Sequence, residues 1–256
     1  MTDINARLEA HYNKAVEHFG EENVMGVFLY GSWNYNTNLP DSDVDTKCIL
    51  VPNLYNLAVD PFKVTHLNVD GEICECMSIT HMVANWKKQN INFVEILFTS
   101  HFKINPDYAD FWQPNKAGEW EEWAMNSERS DMVARYDLHA AVMSMAHQAL
   151  HTLKLDPTDL KKIMNAARIC QTMTLLTDTT CSYMEAISMP SWIGEIRTGE
   201  FEVDKDFVAR LEVYCNELIS NAEAGQYKPD VAAKMQTDEM LNQFIMNLIY
   251  RRLTLD

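Results

Sequence analysis

The sequence predicts an α+β fold, with a mixed sheet and its helices over residues 1–124 and an all-α region over residues 125–256. Short apolar runs bounded by turn residues fill the first part, as strands do. An Asp70-Gly71 pair between two such runs is a strong hairpin signal. From residue 129 onward the apolar residues recur at helical spacing. Strands first and helices afterwards argue for α+β or for two packed domains, and 256 residues are enough to bury a sizeable core.

Ile4, Leu8, His11, Tyr12, Ala15, Val16 and Phe19 mark a first helix that Gly20 stops. Residues 24–30 and 44–51 read as strands, and Pro52 and Pro61 bracket a connecting segment, residues 53–60. Two runs, 63–68 and 72–78, flank the Asp70-Gly71 turn. Alternation that buries Cys74 and Cys76 sends Ile73, Glu75 and Met77 to the other face. Residues 79–89 are helical, 90–98 form a turn leading into a short apolar strand or helix, and Asn105-Pro106 breaks the chain. The aromatics of 107–124 belong to short helices packed on the sheet. A long helix follows over 129–153, with a break expected near Asp137. Asp156-Pro157-Thr158 reads as the cap of a helix over 158–177. Met184 to Met189 is apolar up to Pro190, and 207–222 and 239–253 complete the helical part, the last ending in Arg251-Arg252.

The chemistry concentrates in residues 28–51. An apolar strand ends at Gly31-Ser32, a polar loop follows, and Asp43 and Asp45 open the next strand. Two carboxylates one residue apart on a strand share a face and repel unless a cation lies between them. A Gly-Ser turn offers backbone N–H groups and a hydroxyl where no Cβ blocks a phosphate. The parts describe a nucleotide held by its phosphates against a divalent metal.

Composition narrows the partners. A formal charge of −16 disfavours bulk nucleic acid, which calls for a basic face. No run of 18 apolar residues occurs, and Met1 to Arg7 show no apolar signal core, so a cytoplasmic protein without a membrane partner is expected. The six cysteines show no CxxC pair and fit reduced core thiols. His147 and His151 lie four apart on a helix but lack an HExxH arrangement or a third ligand, and read as helix surface. The methionine-rich helices read as plastic core.

The Gly31-Ser32 turn followed by Asp43-Val44-Asp45 resembles the signature of the polymerase-β nucleotidyltransferase superfamily. The loop 36–45, Asn-Thr-Asn-Leu-Pro-Asp-Ser-Asp-Val-Asp, is similar to that of the predicted nucleotidyltransferases of bacteria and phages, with Asn36 where a glycine is usual. Asn tolerates left-handed backbone angles, so the departure is mild. Glu75, the segment 90–97 ending Glu95-Ile96-Leu97, the basic residues Lys161, Lys162 and Arg168, and Ile196-Arg197-Thr198-Gly199-Glu200 extend the resemblance. It implies a nucleotidyltransferase-type sheet (1–124) with a helical domain (125–256) closing the nucleotide cleft. It also implies a metal site of three catalytic carboxylates, Asp43, Asp45 and a third for which Glu75 is preferred and Glu72 competes. One or two Mg²⁺ ions, with Mn²⁺ as substitute, would neutralise an NTP, expected to be ATP.

Gly31 and Ser32 would contact phosphate, while Asp41 and Ser42 cap the turn. Lys161 and Arg168 are seven apart on one helix face, and Asn165 lies on the same stripe, so all three are candidates for nucleotide contact. The expected activity is transfer of NMP, AMP above all, to a hydroxyl of a small molecule, a protein or an RNA end, releasing pyrophosphate. The alternative is a non-catalytic nucleotide-binding regulatory module of the same fold.

Overall fold

A computed structural model describes residues 3–59, 61–178 and 181–255. Helix α1 (Ile4–Phe19) starts where the Asp3 carboxylate accepts the Ala6 N–H and ends at Gly20. A sheet of five strands follows, β1 (Val24–Leu29), β2 (Thr46–Leu50), β3 (Thr65–Val69), β4 (Glu72–Ser78) and β5 (Phe102–Ile104), in the order β3-β4-β2-β1-β5. Only β2 and β4 run parallel; the other pairs are antiparallel. The β3–β4 turn uses Asp70 at φ 53° and Gly71 at φ 93°, the double left-handed geometry that the Asp-Gly pair favours.

The connecting segment after β2 contains one short helix, α2 (Leu54–Ala58), capped by Asn53; its expected end, Asp60, lies outside the described residues. Helix α3 (Ile79–Lys87) leaves β4 directly, and α4 (Ile91–Val94) with a 3-10 turn (Glu95–Leu97) resolves the strand-or-helix question for this segment. β5 pairs with β1 where the sequence reading had no strand. Residues 107–124 are less helical than expected: a 3-10 turn (Pro106–Phe111) buries Tyr108 and Phe111, whereas Trp120 is exposed.

The helical part comprises α5 (Ser127–Ala134), α6 (Leu138–Leu155), α7 (Leu160–Leu176), α8 (Tyr183–Ile187), α9 (Ser191–Thr198), α10 (Lys205–Glu223) and α11 (Val231–Leu253). The expected break falls at Asp137, whose carboxylate caps α6. The cap of α7 is Asp159 rather than Asp156, because the Asp159 carboxylate reaches the Lys161 and Lys162 N–H groups. Asp156 instead accepts from Thr158.

Each sheet face has its own core. On one, Leu8, Tyr12 and Ala15 of α1 cover Val27, Leu29, Cys48, Cys74 and Cys76. On the other, Phe28, Ile49 and Met77 join a core that continues without a break through α6, α7 and α10. All six cysteines are free thiols, and five are buried. Among the described residues no helix is long and apolar enough to cross a membrane.

Candidate functional site

A cleft of about 350 Å³ opens between the end of β1, the start of β2, and helices α7 and α9. Gly31, Ser32, Asp43, Asp45, Lys161, Asn165 and Arg168 all line it, together with Tyr30, Tyr35, Thr37, Asp41, Asn92 and Arg197. Stretches far apart in the chain thus meet at one place. Of the residues expected there, Glu75 is absent from the lining.

The two aspartates lie just ahead of β2, which begins at Thr46. Alternation still governs them: Val44 between them is fully buried, and its N–H donates to Glu72 Oε1 at 2.9 Å. Asp43 and Asp45 therefore face the cleft on either side of an anchored residue. Neither carboxylate has a hydrogen-bond or ion-pair partner among the described residues. Burial, and then the neighbouring charge of Asp43, push the Asp45 carboxyl above the ordinary carboxylate range. A cation would relieve both causes. Among the described residues no group of three or more His, Cys, Asp and Glu side chains is placed to hold a metal.

The two candidates for a third carboxylate separate by strand face. Glu72 faces α1, with Arg7 Nη1 at 3.3 Å and His11 Nε2 at 3.4 Å, so it belongs to the side away from the cleft. Glu75 shares the face of Asp45, but it is paired with Lys47 directly across the β2–β4 ladder and has His66 Nε2 at 3.8 Å.

The turn after β1 is held from behind. Gly31 has φ 82°, a left-handed angle that suits glycine. Its N–H donates to Glu95 Oε1 at 2.9 Å, so this amide is already engaged rather than open to a phosphate. The Ser32 hydroxyl and N–H and the Trp33 N–H have no partner among the described residues and are the donors the turn leaves open. Glu95 is fully buried, its Oε2 accepts no hydrogen bond among the described residues, and burial raises its carboxyl to about 7 despite the opposing charge of Arg168. Arg168 is itself buried and stacks on Tyr35, 4.2 Å from the ring centroid.

Opposite the carboxylates, Lys161, Asn165 and Arg168 form one stripe of α7. Lys161 is exposed and its ammonium has no partner among the described residues, whereas Lys162 turns to Asp159 at 3.6 Å and stays out of the lining. Arg197 of α9 donates to the Thr37 carbonyl at 2.9 Å, tying the loop after β1 to the helical part. Sequence reasoning did not single out Tyr30 or Tyr35, and it had Thr37, Asn92, Glu95 and Arg197 only within short matching segments. His147 and His151 are exposed on α6 and away from the cleft.

In structure the chain is similar to a nucleotidyltransferase-like protein from Exiguobacterium sibiricum 255-15, with 9% sequence identity, 97% of this chain and 75% of that chain covered, and a TM-score of 0.28. No protein-family model and no curated protein matches the sequence.

Proposed function

We propose that the protein is a Mg²⁺-dependent nucleotidyltransferase that moves the NMP of a nucleoside triphosphate, ATP in the first instance, to a hydroxyl acceptor and releases pyrophosphate. One observation carries the reading. The cleft sets two unpartnered carboxylates, Asp43 and Asp45, opposite the cationic groups Lys161, Arg168 and Arg197. That arrangement suits a ligand whose anionic part contacts basic side chains and whose metal contacts acidic ones. A volume of about 350 Å³ is at the small end for organic ligands and fits a triphosphate with part of its nucleoside.

A divalent ion on Asp43 and Asp45 would supply charge neutralisation to the transferring phosphoryl group and its leaving oxygen. Lys161, Arg168 and Arg197 bind phosphate oxygens, while the Ser32 hydroxyl and the Ser32 and Trp33 amides orient them. The acceptor oxygen bonds to the α-phosphorus as the bond to the pyrophosphate oxygen breaks, and the hydroxyl proton passes to water. Most of the rate enhancement then comes from position and electrostatics. The acceptor is a small molecule, a protein side chain or an RNA end, in keeping with a net charge of −16.

Thermal shift with each NTP, with and without Mg²⁺, on the wild type and Asp45→Ala tests the reading. Stabilisation should need Mg²⁺ and disappear in the variant. Stabilisation that needs no Mg²⁺ and survives Asp45→Ala would instead mark a non-catalytic nucleotide-binding module. Incubation with labelled NTPs and a cell extract then identifies the acceptor fraction.

A further inference from the structure

We propose that Lys47 is a positioning residue, a fixed internal cation that keeps Glu75 as its counter-ion, so that the cleft takes one divalent ion, on Asp43 and Asp45, rather than two. The inference rests on the nucleotidyltransferase reading above and deepens it. Lys47 follows Asp43 and Asp45 at the same two-residue interval, so it points to their face of the sheet. The parallel β2–β4 register sets it opposite Glu75.

Its surroundings fix it there. Lys47 is only 2% exposed, and its ammonium pairs with Glu75 while lying 4.0 Å from the Tyr30 ring centroid and 4.2 Å from that of Phe93. Lysine is almost never buried to this degree without a partner, and withdrawing one member of a buried pair strands the other's charge. Glu75 could move to a metal only by leaving Lys47 unpaired. Its second oxygen has His66 Nε2 at 3.8 Å, beyond hydrogen-bond distance.

The strand geometry adds a further constraint. Asp45 lies one residue ahead of the β2–β4 ladder, and extending the strand spacing and rise by that residue puts it diagonally from Glu75, roughly 8 Å apart at Cα. Lys47 sits beside both, close enough to Asp45 to act on its carboxylate. A second divalent ion between those carboxylates would meet the ammonium there. Mg²⁺ is commonly held by one or two carboxylates, its remaining positions filled by phosphate oxygens and water. Asp43 and Asp45 meet that requirement without Glu75.

The test counts Mn²⁺, by paramagnetic resonance of the free ion, in the presence of an ATP analogue with a methylene bridge between the α- and β-phosphates. The proteins are the wild type, Glu75→Gln and the double variant Lys47→Met/Glu75→Gln. One ion per chain is expected in all three, with affinities agreeing to about threefold, well inside the tenfold or greater change typical of altering a metal's immediate surroundings. Glu75→Gln should melt at a lower temperature than the wild type, since Lys47 loses its counter-ion, and the double variant should recover part of that loss. Two ions per chain in the wild type would overturn the inference, as would an affinity loss of about tenfold or more in the double variant, which also serves if Glu75→Gln does not fold. Absence of any Mn²⁺ binding by the folded wild type would instead sink the nucleotidyltransferase reading itself.

Discussion

Glu95→Gln isolates the buried carboxylate that holds the Gly31 amide. The amide oxygen of the new side chain can still accept from Gly31 N–H, so the variant removes the charge and keeps the geometry. The wild-type carboxyl titrates at about 7 in the folded protein against an ordinary 4.5. Because the folded value is the higher one, the folded chain holds this proton more tightly than the unfolded chain. The favourable contribution is complete below the unfolded value and is lost as pH rises through the folded one. At about 1.36 kcal/mol per pKa unit, the wild type should lose roughly 3 kcal/mol from this group between pH 4.5 and pH 8. The glutamine of the variant does not titrate. The attraction of Arg168 acts only on the ionised carboxylate and is already contained in that raised value, so it adds no separate cost to the difference. Urea unfolding followed by tryptophan fluorescence at four pH values reads the stability of both proteins. Stability of the variant relative to the wild type should climb by roughly 3 kcal/mol over that range, steepest between pH 5 and 7. A difference that does not change with pH would refute the reasoning.

Four other outcomes follow from the same geometry. Gly31→Ala forces a side chain onto φ 82°, where the added Cβ meets Asp45 Oδ2 at an unstrained 3.5 Å. The cost is therefore one of backbone conformation, about 1–2 kcal/mol by chemical denaturation, and a steric loss far above that would contradict the structure. Asp45→Asn removes a carboxylate that burial and Asp43 disfavour, so the metal-free protein should melt higher while NTP with Mg²⁺ no longer stabilises it; in the wild type, protons should compete with metal at pH values above the ordinary carboxylate range. Lys161→Ala, at an exposed residue whose ammonium has no partner among the described residues, should leave the melting temperature unchanged and weaken Mg²⁺–NTP binding by about tenfold in calorimetry. Arg197→Ala at the neighbouring helix should do both, lowering the melting temperature as well as the affinity, since it also gives up the 2.9 Å bond to the Thr37 carbonyl.

What the sequence made legible was what local spacing encodes. Two-residue alternation put Asp43 and Asp45 on one side of Val44, and 3.6-residue periodicity put Lys161, Asn165 and Arg168 on one stripe. Their meeting in one cleft rests on packing between segments more than a hundred residues apart, which periodicity does not report. β5 spans only Phe102–Ile104, too short to show alternation, and exists because its backbone completes the open edge of β1. Asp156 and Asp159 are equally suited to capping by residue type, and only the path of the chain decides which reaches the free N–H groups. The same limit hid the clamp on the turn, because Glu95 reaches back 64 residues to Gly31 and nothing in the composition of 90–97 signals it.

The cleft also explains how an acidic chain could hold a polyanion. Its charged lining comprises Asp41, Asp43 and Asp45 against Lys161, Arg168 and Arg197, so the cleft is formally neutral inside a body carrying −16. A triphosphate entering alone would find as many carboxylates as cations, and the surrounding field would repel it. A divalent ion on Asp43 and Asp45 would reverse that balance at the point where the negative charge is densest. On the proposed reading the metal would be a condition of nucleotide binding as much as of chemistry. The three basic side chains, with Arg168 fixed by its stack on Tyr35 and Arg197 by the Thr37 carbonyl, would then select where the phosphates lie.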